Sequence, residues 1–95
     1  MTKQSDQLSD LFKALSDPTR RAVLHRLSRG PATTSELAKP FEMALPSFLR
    51  HLDILHECGL VRSRKVGRVR TLQLTPRPLI VVESWLAKQR KLWDR

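Results

Sequence analysis

Between Thr33 and Gly59 the chain reads TTSELAKPFEMALPSFLRHLDILHECG, two helix-forming segments kept short by their own punctuation. Thr33 and Glu36 stand at capping-box spacing, so a helix begins there with Leu37 and Ala38 as its apolar contacts. Pro40 ends it after about two turns, because proline has no amide to donate and its ring clashes with the preceding turn. After a short connection, FEMA, a second helix opens on LPSF and closes at Gly59. Pro46 is tolerated because first-turn amides have no helical partner. On a helical wheel Leu45, Phe48, Leu49, Leu52 and Leu55 fall in one sector and predict the buried face. Opposite them, near the N-terminal end, lie Ser47, Arg50 and, at the flank, His51. A tight helix pair whose second member exposes small hydrogen-bonding residues at its start is the helix-turn-helix pattern.

The flanking segments complete a small architecture. Leu8, Leu11, Phe12 and Leu15 recur at helical spacing and predict an amphipathic helix over residues 4–15. In SDPTRR, Asp17 can cap a second helix and Pro18 suits its first position; Val23, Leu24 and Leu27 supply the buried face, and Gly30-Pro31 stops it. After Gly59, LVRSRKVGRVRTLQLT alternates apolar and polar residues around Val66-Gly67 and reads as a β-hairpin. TPRP then starts a last helix, with Thr75 as its cap and Pro76 in the first turn; Leu79, Val82, Trp85, Leu86 and Trp93 form its apolar side. The fold class is therefore mainly α with a small hairpin, in the order helix, helix, helix-turn-helix, hairpin, helix. Residues 1–95 form one domain.

Charge narrows the partner. The chain carries a formal +9, which calls for a polyanion, nucleic acid before an acidic membrane surface. Between residues 60 and 75 stand Arg62, Arg64, Lys65, Arg68 and Arg70 with no acid among them, the place to expect phosphate contacts. The longest purely apolar run, Leu79–Val82, is far too short to span a bilayer, and residues 1–30 lack the apolar core of a signal peptide. With a single cysteine no internal disulfide can form, which fits a reducing cytoplasm. The expectation is a cytoplasmic protein with no membrane partner.

RHLDILHEC, residues 50–58, gathers two histidines, two acids and that cysteine. On a helix His51 and His56 point about 140° apart, and His56 and Cys58 lie on nearly opposite sides. Zinc-binding histidines on one helix favour i, i+4 spacing, and two ligands do not fill a tetrahedral site. The stretch is read as a helix with mixed polar residues, and no metal or cofactor is expected. Cys58 closes a helix, where the dipole disfavours a thiolate, so it is expected to pack.

The segments ALSDPTRRAVLHRL, SELAKPFEMALPSFLRHLDIL, GLVRSRKVGRVR and LTPRPLIVVESWL together resemble the ArsR/SmtB family of bacterial transcriptional regulators over nearly the entire chain. The resemblance implies a winged helix-turn-helix, a homodimer built by the first and last helices, and repression at an operator. Metal-sensing members often carry Cys-Val-Cys in the third helix, where this chain has ELAKPF. Others use aspartate and histidines on the last helix, which here has Glu83 and no histidine, and no Cys or His precedes residue 25. The chain thus resembles the metal-independent subgroup, and nothing in the sequence names an inducer.

On this reading Ser47, Arg50 and His51 are candidates for reading bases, since arginine can bond guanine bidentately and serine or histidine can bond a base or phosphate. Arg64, Lys65, Arg68 and Arg70, with Arg62 nearby, form the wing; alternation keeps them from all facing one side, and Arg68 is the best candidate for the minor groove. Leu8, Leu11, Phe12 and Leu15, with Val82, Trp85, Leu86 and Trp93, are the expected dimer interface, on dimerisation helices 4–15 and 76–93. The alternative is a basic winged-helix module that binds RNA or a nucleoprotein without operator specificity; the wing has no aromatic for base stacking, which counts against RNA. An enzyme has no support: no nucleophile–His–acid grouping, phosphate loop or paired carboxylates stand out.

Overall fold

A computed structural model describes residues 3–94 and orders them as α1 (Lys3–Leu15), α2 (Pro18–Leu27), β1 (Ala32–Thr33), α3 (Thr34–Ala38), α4 (Leu45–Glu57), β2 (Val61–Val66), β3 (Val69–Leu74) and α5 (Leu79–Trp93). This is the winged helix-turn-helix order. The Asp17 side chain accepts from the Arg20 amide at 3.1 Å and starts α2. Thr33 and Glu36 form the reciprocal capping box of α3. At the end of α4 the Leu60 amide donates to the Leu55 carbonyl (3.0 Å) and the Gly59 amide to the His56 carbonyl (3.1 Å). Gly59 takes φ 80°, the left-handed conformation this paired closure requires, and the fully buried Leu55 and Leu60 seal it. The wing therefore begins directly beneath the last turn of α4.

Four expectations need correction. The sheet has three strands, not two, in the order β1-β3-β2, because Ala32 pairs with Leu72 and Thr33 with Thr71. A two-residue strand is too short for alternation to reveal it. Thr75 does not cap α5: its hydroxyl donates to the Gly59 carbonyl (2.7 Å) and its amide to the Leu60 carbonyl (2.8 Å). Those bonds tie the base of the wing to the end of α4, so α5 starts only at Leu79, past Pro76. Leu45 is 54 % exposed, since the first residue of α4 overhangs the core its wheel position points toward. Finally, Leu11 and Val82 lie in the core of the domain itself rather than on an open face.

That core joins Leu11 of α1, Val23 and Leu27 of α2, Leu37 of α3, Phe48, Leu52 and Leu55 of α4, and Leu60, Val61 and Leu72 of the wing base. Burial of each large side chain contributes roughly 1.5–3 kcal/mol before entropic costs. Phe48 stacks on Phe41 with ring centroids 5.4 Å apart, pinning the α3–α4 connection to the first turn of α4. The domain is long, 52 × 26 × 25 Å, with a radius of gyration of 15.0 Å. A compact chain of this length would have a radius near 12 Å.

Candidate nucleic-acid interface

The first turns of α4 offer a small polar surface. Ser47 and Arg50 are exposed, while Phe48 and Leu52 anchor the opposite side. Ala44 stands at the N-cap and has no side-chain acceptor, so α4 starts without a side-chain cap. The Ser47 and Phe48 amides both donate to the Ala44 carbonyl (3.0 and 3.1 Å), and the helix dipole at this end favours an approaching phosphate. Acids enter the exposed face of α4 only further along, at Asp53 and Glu57.

His51 sits differently from its neighbours. Its Nδ1 lies 2.9 Å from Nη1 of Arg20 and 3.7 Å from Oδ2 of Asp17, and its side chain is 21 % exposed. Among the described residues Arg20 is the one buried charged side chain: its Nε donates to the Ala14 carbonyl and its Nη2 to the Lys13 carbonyl, both at 2.8 Å. One guanidinium thus bonds two carbonyls in the last turn of α1 and reaches across to His51 on α4. Partial burial alone would push the Asp17 carboxyl up, but the Arg20 and Thr19 amides and the Arg20 guanidinium outweigh it and hold the group below the ordinary aspartate range. In sequence DPTRR reads as a helix start and as part of the family likeness, and Arg20 was not among the expected site residues.

The wing is built for charge. Gly67 has φ 62° and, among the described residues, only glycines take positive φ, so Gly67-Arg68 make the tight turn with glycine first that suits a two-residue hairpin. The register places Lys65 opposite Arg70, Arg64 opposite Thr71 and Arg62 opposite Gln73. Lys65 and Arg70 share the face of Val61 and Leu72, which the helices cover, but stand beyond the core; Arg62 and Arg64 point from the other face. Arg62 donates to Gln73 at 3.4 Å. Among the described residues none of the five cations has a carboxylate partner. Arg68 is exposed at the tip beside Val66 and Val69, two valines that also remain exposed.

On the far side α1 and α5 lie against one another. Phe12 meets Trp85 edge to face, centroids 5.8 Å apart at 81°. Both stay over a third exposed, and Leu86, Trp93, Ile80 and Leu92 are more open still. Leu8 and Leu15 are half-buried against the core, while Leu11 and Val82 back the patch from beneath. Ile80 and Leu92 were not foreseen from sequence.

Cys58 donates from Sγ to the Leu55 carbonyl at 3.4 Å, and burial pushes its thiol up. Among the described residues no three metal-ligating side chains converge, and no helix is long and apolar enough to cross a membrane.

Comparison with known proteins places this geometry. A family profile described as a helix-turn-helix domain matches residues 15–64. The HTH-type transcriptional regulator Rv2034 of Mycobacterium tuberculosis is 36 % identical over 88 % of this chain and 76 % of its own. The arsenical resistance operon repressor of Escherichia coli is 33 % identical over 86 % and 75 %. The crystal structure of the ArsR family transcriptional regulator RHA00566 superposes with a TM-score of 0.92 at 57 % identity, covering 99 % of this chain and 97 % of that one. The homodimeric winged helix-turn-helix DNA-binding domain Mb0332 of Mycobacterium bovis shares the fold, with a TM-score of 0.70 at 20 % identity over 100 % and 94 % of the two chains.

Proposed function

The chain belongs to the ArsR family of helix-turn-helix transcriptional regulators, and from that premise we propose that it is a homodimeric repressor reading a pseudo-palindromic site in double-stranded DNA. The observation that carries this reading is the wing: five cations without a carboxylate partner, two of them directly opposed, on the hairpin that follows the recognition helix. Protein stability alone disfavours such an arrangement. A phosphate backbone supplies the missing counter-charge.

Ser47 and Arg50, with His51 at the flank, face the major groove; Arg64, Lys65, Arg68 and Arg70 meet phosphates and the adjacent minor groove. Two copies are needed because one recognition helix covers only a half-site, and half-sites repeat about every 34–36 Å. The apolar patch of Phe12, Trp85, Leu86 and Trp93 is the surface that joins them, and the homodimeric state of Mb0332 supports it. Regulation proceeds where the DNA is, in the cytoplasm, and no metal or cofactor is required by this reading.

Selection of binding sites from a random duplex pool tests it. The expected result is a two-fold-related motif bound more tightly than random duplex or RNA of equal length. Equal affinity for all three would replace the reading with a non-specific nucleic-acid module, and preference for RNA would move it to that class.

A further inference from the structure

His51 is engaged on one side only, and that decides which proton it can show to DNA. A guanidinium nitrogen cannot accept a hydrogen bond, and arginine does not deprotonate in proteins. With Nη1 of Arg20 2.9 Å away, Nδ1 of His51 must be the acceptor. Asp17 is the competing partner, but its Oδ2 lies 3.7 Å from Nδ1, beyond hydrogen-bond reach. A neutral imidazole with a bare Nδ1 carries its proton on Nε2. Every buried side-chain nitrogen and oxygen among the described residues has a partner, and Nε2 bonds to no described residue, so Nε2 reaches solvent. It does so one helical turn after Ser47 and next to Arg50.

We propose that Arg20 is a positioning residue that locks His51 as a one-way hydrogen-bond donor, so that this position of α4 accepts only an acceptor on the nucleic acid. Suitable acceptors are a phosphate oxygen, N7 or O6 of a purine, or O4 of thymine; the amino edges of cytosine and adenine are refused. The inference rests on the DNA-reading function proposed above and adds the chemical sense of one contact. Arg20 is well suited to the task, because its other two nitrogens each donate to an α1 carbonyl and the plane of the guanidinium is fixed. An unfixed histidine could present either a donor or an acceptor at the same place.

The first arm needs no DNA. The full chain labelled with nitrogen-15 histidine, measured above the imidazole titration range, should show His51 with its proton on Nε2 and a bare Nδ1. A proton on Nδ1, or an even mixture of tautomers, overturns the proposal. Replacing Arg20 by Leu should release the preference; should that variant fail to fold, the wild-type spectrum still decides.

The second arm uses the selected duplex. His51→Ala should lose about tenfold in affinity, the scale of one hydrogen bond, whereas His51→Gln should retain most of it through its side-chain amide donor. Duplexes carrying 7-deazapurine or methylphosphonate at single positions should show one place where wild type loses affinity and His51→Ala does not. A loss at the base analogue assigns a base acceptor, and a loss at the methylphosphonate assigns a phosphate. DNA binding that neither variant changes overturns the proposal while leaving the DNA-reading function standing; absence of specific DNA binding, with the tautomer as expected, removes that function instead.

Discussion

Lys65 and Arg70 stand directly opposite each other across the β2–β3 ladder, two like charges without a carboxylate partner among the described residues. Such a cross-strand pair is unfavourable by about 0.2–1 kcal/mol relative to a neutral one. Lys65→Thr is therefore expected to stabilise the fold by some tenths of a kcal/mol, measured by urea unfolding, while weakening DNA binding. The slope of log affinity against log salt should fall by about one unit if Lys65 neutralises one phosphate. Greater stability with an unchanged slope would show that this lysine does not touch DNA.

Arg50 and Arg68 should fail in different ways. Arg50 lies on the exposed start of α4 and Arg68 at the tip of the wing. Arg50→Ala is expected to reduce discrimination between operator and random duplex by roughly 1–3 kcal/mol, the range of a bidentate base contact. Arg68→Ala should lower both affinities by a similar factor. Binding isotherms on the two DNAs separate these patterns, and equal losses in both variants would remove Arg50 from base reading.

Trp85→Glu should separate the subunits. Trp85 sits edge-on to Phe12 at the centre of the exposed α1–α5 patch, and its removal leaves the buried Leu11 and Val82 in place. A charge in an association surface carries a desolvation penalty that no partner there offsets. Sedimentation should show a folded monomer that binds one half-site weakly and has lost cooperative operator binding. A dilute wild-type monomer that already binds a single half-site tightly would dismiss the dimer.

Asp17 makes stability pH-dependent in a defined direction. Its carboxyl is held below the ordinary range in the folded state, so its stabilising effect is fully present above the unfolded-state value. The effect disappears as pH falls through the folded-state value. Asp17→Ala should cost about 1 kcal/mol at neutral pH, the usual worth of a helix cap. Urea melts should show that gap closing in acid; a gap that stays constant would mean the loss is not tied to the carboxylate.

Zinc should not bind tightly. Nδ1 of His51 already meets Arg20, the Cys58 thiol donates to Leu55, and burial keeps that thiol protonated. Metal binding there would have to displace both contacts. A stoichiometric, tight zinc site in calorimetry would overturn this.

Helix boundaries were legible in the sequence wherever one residue carries the signal alone. Asp17-Pro18, the Thr33/Glu36 box, Pro40 and Gly59 act on backbone groups within a turn of themselves, so their effect survives without knowledge of the rest of the chain. The hairpin and its basic content were legible for the same reason, since alternation and Gly67 are local. Contacts between distant segments were not. The third strand rests on pairing Ala32 with Leu72, the late start of α5 on Thr75 bonding back to Gly59, and the role of Arg20 on a carbonyl cluster and a histidine 31 residues away. Long-range polar bonds leave no periodic trace, because any one of them is made by a single residue whose type is common. The wheel also cannot tell which apolar faces the domain covers for itself. Leu11 and Val82 read like Phe12 and Trp85 in sequence, and only the packing of α1 against α5 buried the first pair and left the second on the surface.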